Sequence, residues 1–368
     1  MKKERESGIE LLRIIAIFLV IGVHALYYGH FFSMAKATGG HVYSSTLLFK
    51  FATRSAVNIF VMISGFFMIH SPFDVKKSLK RATDTYAKIL FYSVVLTIIF
   101  LILGPKYCMY GNSVMPTVSI IGKGLFPITG QVWYFLSNYL FLCILSPFIN
   151  LCVQKITKKE YALLLGVLTF IMCIWMNIYR IAPFKNWVLI FGYGDIPGGK
   201  NIFFFIYLYL VGGFIGRFQK KRERPNVLYV LLAGASLIIN YLLHTRLDKA
   251  VGYRKIAINY TNLFVVIFAV SLLLIFKDLR FKSKIVNVIA STTIGAYAVP
   301  EFYFVRNIVW TVFDFRKYDF SNLWLNFLRL GLAILAVFAL GSVADLLRQQ
   351  IFRLVGFIVH KIKKEKIT

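Results

Sequence analysis

Acidic residues are scarce in this 368-residue chain: 15 Asp and Glu stand against 43 Lys and Arg, and charged residues of both signs make up only 16% of it. Cysteine is scarcer still. The four present, Cys108, Cys143, Cys152 and Cys173, show no CxxC or metal-like spacing. They therefore offer no disulfide framework and no metal site, and read as packing residues. No internal repeat is visible, so the inverted-repeat signature of many transporters is missing. No glycine-rich stretch ends in Lys-Ser or Lys-Thr. The run Gly192-Tyr193-Gly194-Asp195-Ile196-Pro197-Gly198-Gly199 reads as turns in an outer loop rather than a nucleotide-binding loop. No small-x-small site follows the first apolar run, which is also too long for a signal peptide, so it is expected to stay in the protein.

Hydrophobic residues fill the space these absences leave. They make up 58% of the chain, and a mean hydropathy of +0.70 excludes a soluble domain. Apolar runs predict an all-α polytopic membrane protein of about ten transmembrane helices. Their approximate limits are 9–29, 47–70, 89–104, 132–152, 161–178, 202–218, 226–243, 258–276, 285–304 and 323–346. The net charge of +28 lies in short segments between these runs. That arrangement suits anionic lipid rather than nucleic acid. The N-terminus, 71–88, 153–160, 217–225, 277–284 and the tail carry about twice the Lys and Arg of the alternate loops. Both termini are therefore expected in the cytoplasm of a cell-membrane protein. Residues 1–346 read as the membrane domain, and 347–368 as a basic amphipathic tail on the cytoplasmic face, with Phe352, Val355 and Phe357 opposed to Arg348, Arg353 and Lys361.

The first apolar run is unusual because it carries Glu10, Arg13 and His24. At 100° per residue the three share one stripe of a helix. Ionisable groups inside a membrane helix are costly and default to function. A His with an Arg on the same face suggests a base or nucleophile above an anion site.

Arg5, Glu10, Leu12-Arg13 and His24 together resemble the first helix of the integral-membrane acyltransferase-3 family. Three later segments extend the likeness. They are Asn58-Ile59-Phe60-Val61-Met62-Ile63-Ser64-Gly65-Phe66, the basic Lys80-Arg81 with Lys88, and Val132-Trp133-Tyr134-Phe135-Leu136 with Tyr139 and Pro147. Gln131 stands where many relatives have His, and Lys88 where an Arg is common. Pro300 replaces the His of a late helix that Ile294–Glu301 resembles, so no role of that His carries over.

The resemblance implies an O-acyltransferase that moves an acetyl group from acetyl-CoA to a sugar hydroxyl. The acceptor would be a cell-surface polysaccharide (an exopolysaccharide or similar glycan) or its lipid-linked precursor. The chain lacks the esterase-like domain fused to some relatives and is expected to act alone or with a separate partner. His24 is then the candidate base or acyl-carrying nucleophile, and Glu301, just after Pro300, a candidate proton acceptor or orienter of His24. Arg13, Lys80, Arg81 and Lys88 are candidates for the coenzyme A phosphates. Glu10, Arg54, Asn58, Trp133 and Tyr134 are candidates for the acceptor. Each has an alternative: Glu10 can pair with Arg13 at i,i+3, Arg13 can snorkel, Arg54 and Asn58 can bond between helices, and Trp133 and Tyr134 can anchor the interface. Ser64-Gly65 is expected to permit close helix packing. No metal is expected. The competing class is a transporter or flippase of lipid-linked glycans, which would not consume acetyl-CoA.

Overall fold

A computed structural model describes residues 6–110, 113–130, 132–178, 198–224 and 226–365. Readings that rest on Arg5, Gln131 and 192–197 fall outside them. The described chain is almost entirely helical. In order it runs α1 (Gly8–Tyr27), α2 (Phe31–Thr38), α3 (Gly40–Thr53), α4 (Ala56–Met68), α5 (Val75–Leu103), α6 (Thr117–Leu125), α7 (Tyr134–Gln154) and α8 (Lys158–Thr169). A π-helical turn then leads into α9 (Met176–Ile178). There follow α10 (Ile202–Phe218), α11 (Val227–Val251), α12 (Arg254–Ala257), α13 (Leu263–Asp278), α14 (Lys284–Ser291), α15 (Thr293–Glu301), α16 (Tyr303–Val312) and α17 (Leu323–Glu365). A two-stranded hairpin, Met109–Tyr110 with Ser113–Val114, lies in the loop before α6. Among the described residues, six helical segments are long and apolar enough to cross a membrane, up to seven if the bent pair α14–α16 counts as one. The protein is a multi-pass membrane protein.

Helix limits follow from capping chemistry. Asp74, Thr157, Asn201, Asn226, Asn262 and Ser283 each use a side-chain oxygen to accept a backbone N–H of the first turn that follows. Gly252, at φ 72°, closes α11 in the left-handed conformation that a side chain disfavours. The run read as 47–70 belongs to one membrane-crossing segment, Gly40–Met68. It has a local turn between α3 and α4, where the hydroxyls of Thr53 and Ser55 bond back to the carbonyls of Lys50 and Ala52 at 2.7 Å each. Two departures from the apolar-run reading stand out. The run read as 285–304 turns by 83° between Glu301 and Tyr303, since Pro300 removes an N–H and Phe302 is extended. The expected boundary at 346 carries no break: α17, 43 residues long, runs through it. Arg348, expected on the tail's polar face, is instead buried against Asp345 at 3.0 Å, and Tyr92 donates to the same carboxylate at 2.5 Å.

α1 stands at the centre. One side, with Ile9, Leu12 and Ala16, packs into a core shared with α4, α10 and α13. The other, with Ile14, Ile17, Ile21 and Ala25, packs against α14, α15 and α17. Large exposed aliphatics instead collect on α11 and α17, as lipid-facing surfaces require. α4 and α10 cross most closely. A Cβ on Gly65 would lie 1.9 Å from the Tyr209 carbonyl oxygen, and one on Gly212 would lie 1.9 Å from that of Met62. The expected role of Ser64-Gly65 in helix packing is thus met at Gly65, where only glycine allows the two backbones to touch.

The connections expected in the cytoplasm gather at one end of the bundle. Ser7 bonds the backbone of Phe281 and Ser283, Glu6 pairs with Lys221, and Arg217 donates to the carbonyls of Val153 and Gln154. Gln154 in turn donates to Ile69 and Ser71, and the fully buried pair Lys277–Asp278 holds Lys220 and Arg222.

Candidate functional site

Arg13 and His24 lie eleven positions apart on α1, about 16 Å along its axis, and each opens into a different cavity. Arg13 lines a cavity of about 200 Å³ with Ile17, Phe60, Ser64, Thr85 and Tyr139. His24 lines one of about 620 Å³ with Arg54, Tyr134, Tyr260, Glu301 and Arg306. Val20, Val57 and Tyr297 border both. These three residues form the boundary between the two cavities.

In the larger cavity, His24 Nε2 lies 3.0 Å from Glu301 Oε1. The turn after Pro300 brings Glu301 there by ending α15 inside the bundle rather than at its surface. Trp133 holds that turn: its indole N–H donates to the Ala298 carbonyl at 3.0 Å. The ring is 2% exposed, so Trp133 is a buried brace of the cavity wall and not an interface anchor. His24 also stacks on Tyr28, with ring centroids 5.6 Å apart and planes 2° from parallel. With the Nε2 hydrogen directed at the carboxylate, Nδ1 keeps a lone pair, and it is buried without a partner. A proton arriving on this imidazole would be neutralised by Glu301, as in the carboxylate–histidine pairs of acyl-transfer enzymes.

Arg54 sits in the turn between α3 and α4. It donates from Nη2 to the Tyr27 hydroxyl at 2.5 Å, and its guanidinium lies over the rings of Tyr27 and Tyr260 at 5.0 and 5.7 Å. Asn58, the other acceptor candidate on that segment, is not part of the cavity lining. Buried in α4, it donates to the Tyr260 carbonyl at 3.0 Å, fixing the loop whose tyrosine faces Arg54. Tyr134 begins α7 and donates to the Tyr260 hydroxyl at 3.2 Å.

In the smaller cavity, Arg13 Nη1 pairs with Glu10 at 3.1 Å. Glu10 is buried near the start of α1 and does not reach the acceptor side; the i,i+3 alternative describes it. Thr85 of α5 lines this cavity. Arg81 and Lys88, four residues before it and three after, lie on the same helix face and are half-buried. Lys80 points elsewhere and is exposed. Of the three basic candidates on α5, only Arg81 and Lys88 share the face of Thr85, and neither lines the Arg13 cavity itself.

Sequence reasoning missed Arg306, Tyr27, Tyr28, Tyr260 and Lys200. Arg306 fell just past the expected end of a straight span, so its charge was assigned to a loop. The 83° turn carries it back over the Tyr28 ring, at 4.3 Å. Among the described residues, no group of His, Cys, Asp and Glu could hold a metal ion.

Residues 6–344 match the family model described as an acyltransferase domain, acyltransferase-3. The chain belongs to the acyltransferase-3 family. No curated protein and no solved structure gives a match. Family membership makes it a membrane acyltransferase.

Proposed function

We propose that this protein O-acetylates a sugar hydroxyl of a cell-surface polysaccharide or its lipid-linked precursor, with acetyl-CoA as the donor. It would do so in a bacterial cytoplasmic membrane, crossing about ten times with both termini inside. The observation that carries the reading is the pair of cavities sharing Val20, Val57 and Tyr297, with Arg13 in one and His24–Glu301 in the other. Arg13, with Arg81 and Lys88, would hold the coenzyme A phosphates at the cytoplasmic end, because guanidinium offers fixed charge-assisted donors. The pantetheine arm is long enough to carry the thioester to His24. The acceptor oxygen attacks the thioester carbonyl, the C–O bond forms as the C–S bond breaks, and the hydroxyl proton passes to His24. The departing thiolate is protonated in turn. His24 serves as the general base, since donor and acceptor can meet at one point without a covalent relay.

The test is mass spectrometry of the surface glycan from cells with and without the gene, beside coenzyme A release by purified protein. An acetyl mass difference and acceptor-dependent release of coenzyme A are expected. Transport of the glycan with no acetyl-CoA consumed would favour a flippase and end the proposal. Stoichiometric labelling of the protein by acetyl-CoA alone, lost in His24→Ala, would replace the general base with an acyl-histidine. A cysteine label near position 221 that reacts from outside intact cells would reverse the orientation.

A further inference from the structure

We infer that the acceptor carries an acidic group beside the hydroxyl that is acylated, and that Arg54, Arg306 and Lys200 read it. The inference rests on the reading of the His24 cavity as the acceptor side. Three cations and His24 line that cavity, with Glu301 as the single carboxylate among the described residues that line it. Glu301 is already engaged by His24. The cations are held instead by aromatic faces: Arg54 by Tyr27 and Tyr260, Arg306 by Tyr28, and Lys200 by Tyr134 at 4.9 Å. Aromatic faces fix a cation in place without cancelling its charge.

Arg54 and Arg306 are half-buried and Lys200 is exposed. Other cations of the bundle have a carboxylate: Arg348 has Asp345, Lys277 has Asp278, and Arg13 has Glu10. The buried Lys50, next along α3 from the cavity, lies over Tyr27 and Phe32 instead. A guanidinium stays charged at any physiological pH, and leaving it inside a protein without an anion is costly. Nε of Arg54 and Nε of Arg306 are both buried without a hydrogen-bond partner. Their remaining donors are thus the ones an incoming carboxylate or phosphate would fill. A neutral sugar would leave the positive excess unanswered, whereas an acidic one completes it. The surrounding Tyr27, Tyr28, Tyr134 and Tyr260 offer rings for the apolar faces of the sugar.

The shared ligand chemistry is an anionic glycan. Its charge can come from a uronic-acid carboxylate or from a phosphate on the glycan or its lipid carrier. The experiment uses purified full-length protein with three length-matched oligosaccharides: neutral, uronate-bearing and phosphate-bearing. Acetyl transfer from labelled acetyl-CoA gives kcat/KM, and direct binding without acetyl-CoA gives affinity. Preference for an acidic acceptor by roughly tenfold to a hundredfold is expected, falling as salt rises. Which acidic sugar leads identifies the source of the charge. Arg54→Gln and Arg306→Gln should each shrink the acidic-to-neutral ratio, and Arg306→Lys should restore part of it.

Equal kcat/KM on neutral and acidic acceptors in the unaltered protein would overturn the inference while leaving acetyl transfer intact. So would variants that lower both acceptors by the same factor. Arginine-dependent binding of acidic glycans with no acetyl transferred would keep the inference and end the transferase reading. If either variant fails to fold, the unaltered protein's acceptor ratio and its salt dependence decide the matter alone.

Discussion

The two cavities along α1 handle positive charge in opposite ways. Around Arg13 the charge is met within the chain, since Glu10 sits 3.1 Å away on the same helix. The rest of that lining is mostly aliphatic and aromatic. Around His24 the arginines are held by tyrosine rings, and the Glu301 carboxylate is committed to the imidazole. The small, largely apolar cavity suits a slender chain such as a pantetheine arm, with its charged end at the basic rim. The cavity three times its volume suits a polar, bulky acceptor. In the proposed function one helix would serve two ligands, because its stripe of ionisable residues passes through two different environments.

The comparison breaks most sharply at His24. Replacing it with Ala is expected to cut acetyl transfer by about 10²- to 10⁴-fold at normal expression, the range that loss of a positioned base gives. An active His24→Ala protein would remove the chemistry from the larger cavity. Glu301→Gln should cost about ten- to a hundredfold in kcat, because the amide can still face Nε2 but cannot neutralise an imidazolium. An unchanged kcat would reduce Glu301 to packing.

A scaffold change should not distinguish the two cavities. Gly65→Ala forces a Cβ into the α4–α10 crossing, with an expected loss of about 1–3 kcal/mol of stability by overpacking. Both Michaelis constants should move little for the protein that remains folded. A selective effect on one ligand would show that the crossing shapes a site directly.

Arg13→Ala should raise the KM for acetyl-CoA by about tenfold, one charge-assisted contact, and leave the acceptor KM nearly unchanged. A shift in the acceptor KM instead would mean the cavities are assigned to the wrong ligands. The smallest effect separates neighbours on α5. Arg81→Ala is expected to weaken donor binding several-fold, and Lys80→Ala by less than about twofold, because only Arg81 shares the face of Thr85. Equal losses would mean the basic segment acts only as a diffuse positive field.

Much of this arrangement was legible because α1 is local. Helical periodicity alone puts Arg13 and His24 on one stripe and sets their axial spacing. The i,i+3 pairing of Glu10 with Arg13 is likewise a property of one turn. Apolar runs showed that the chain is a helical membrane protein, since each backbone polar group in lipid must be paired within its own segment. They could not show the 83° turn that follows Pro300, because a missing N–H acts on hydrogen bonds rather than on mean hydropathy.

Tertiary structure decided the rest. Glu301 meets His24 only because α15 ends inside the bundle and Trp133, the residue just before α7, holds its last turn. Arg306 enters the cavity by the same turn. Asn58 acts through the Tyr260 loop rather than on a ligand, and Trp133 through Ala298. Arg348 is drawn from an expected surface tail into a buried pair with Asp345 and Tyr92. The sequence by itself determined that ionisable groups lie inside a membrane helix, because periodicity and the cost of burying charge are local rules. The ion pairs Glu10–Arg13, Asp345–Arg348 and Lys277–Asp278 are local too. The Tyr260 ring over Arg54, the Tyr28 ring over Arg306 and the carboxylate that meets His24 come from residues hundreds of positions away, and only packing brings them together.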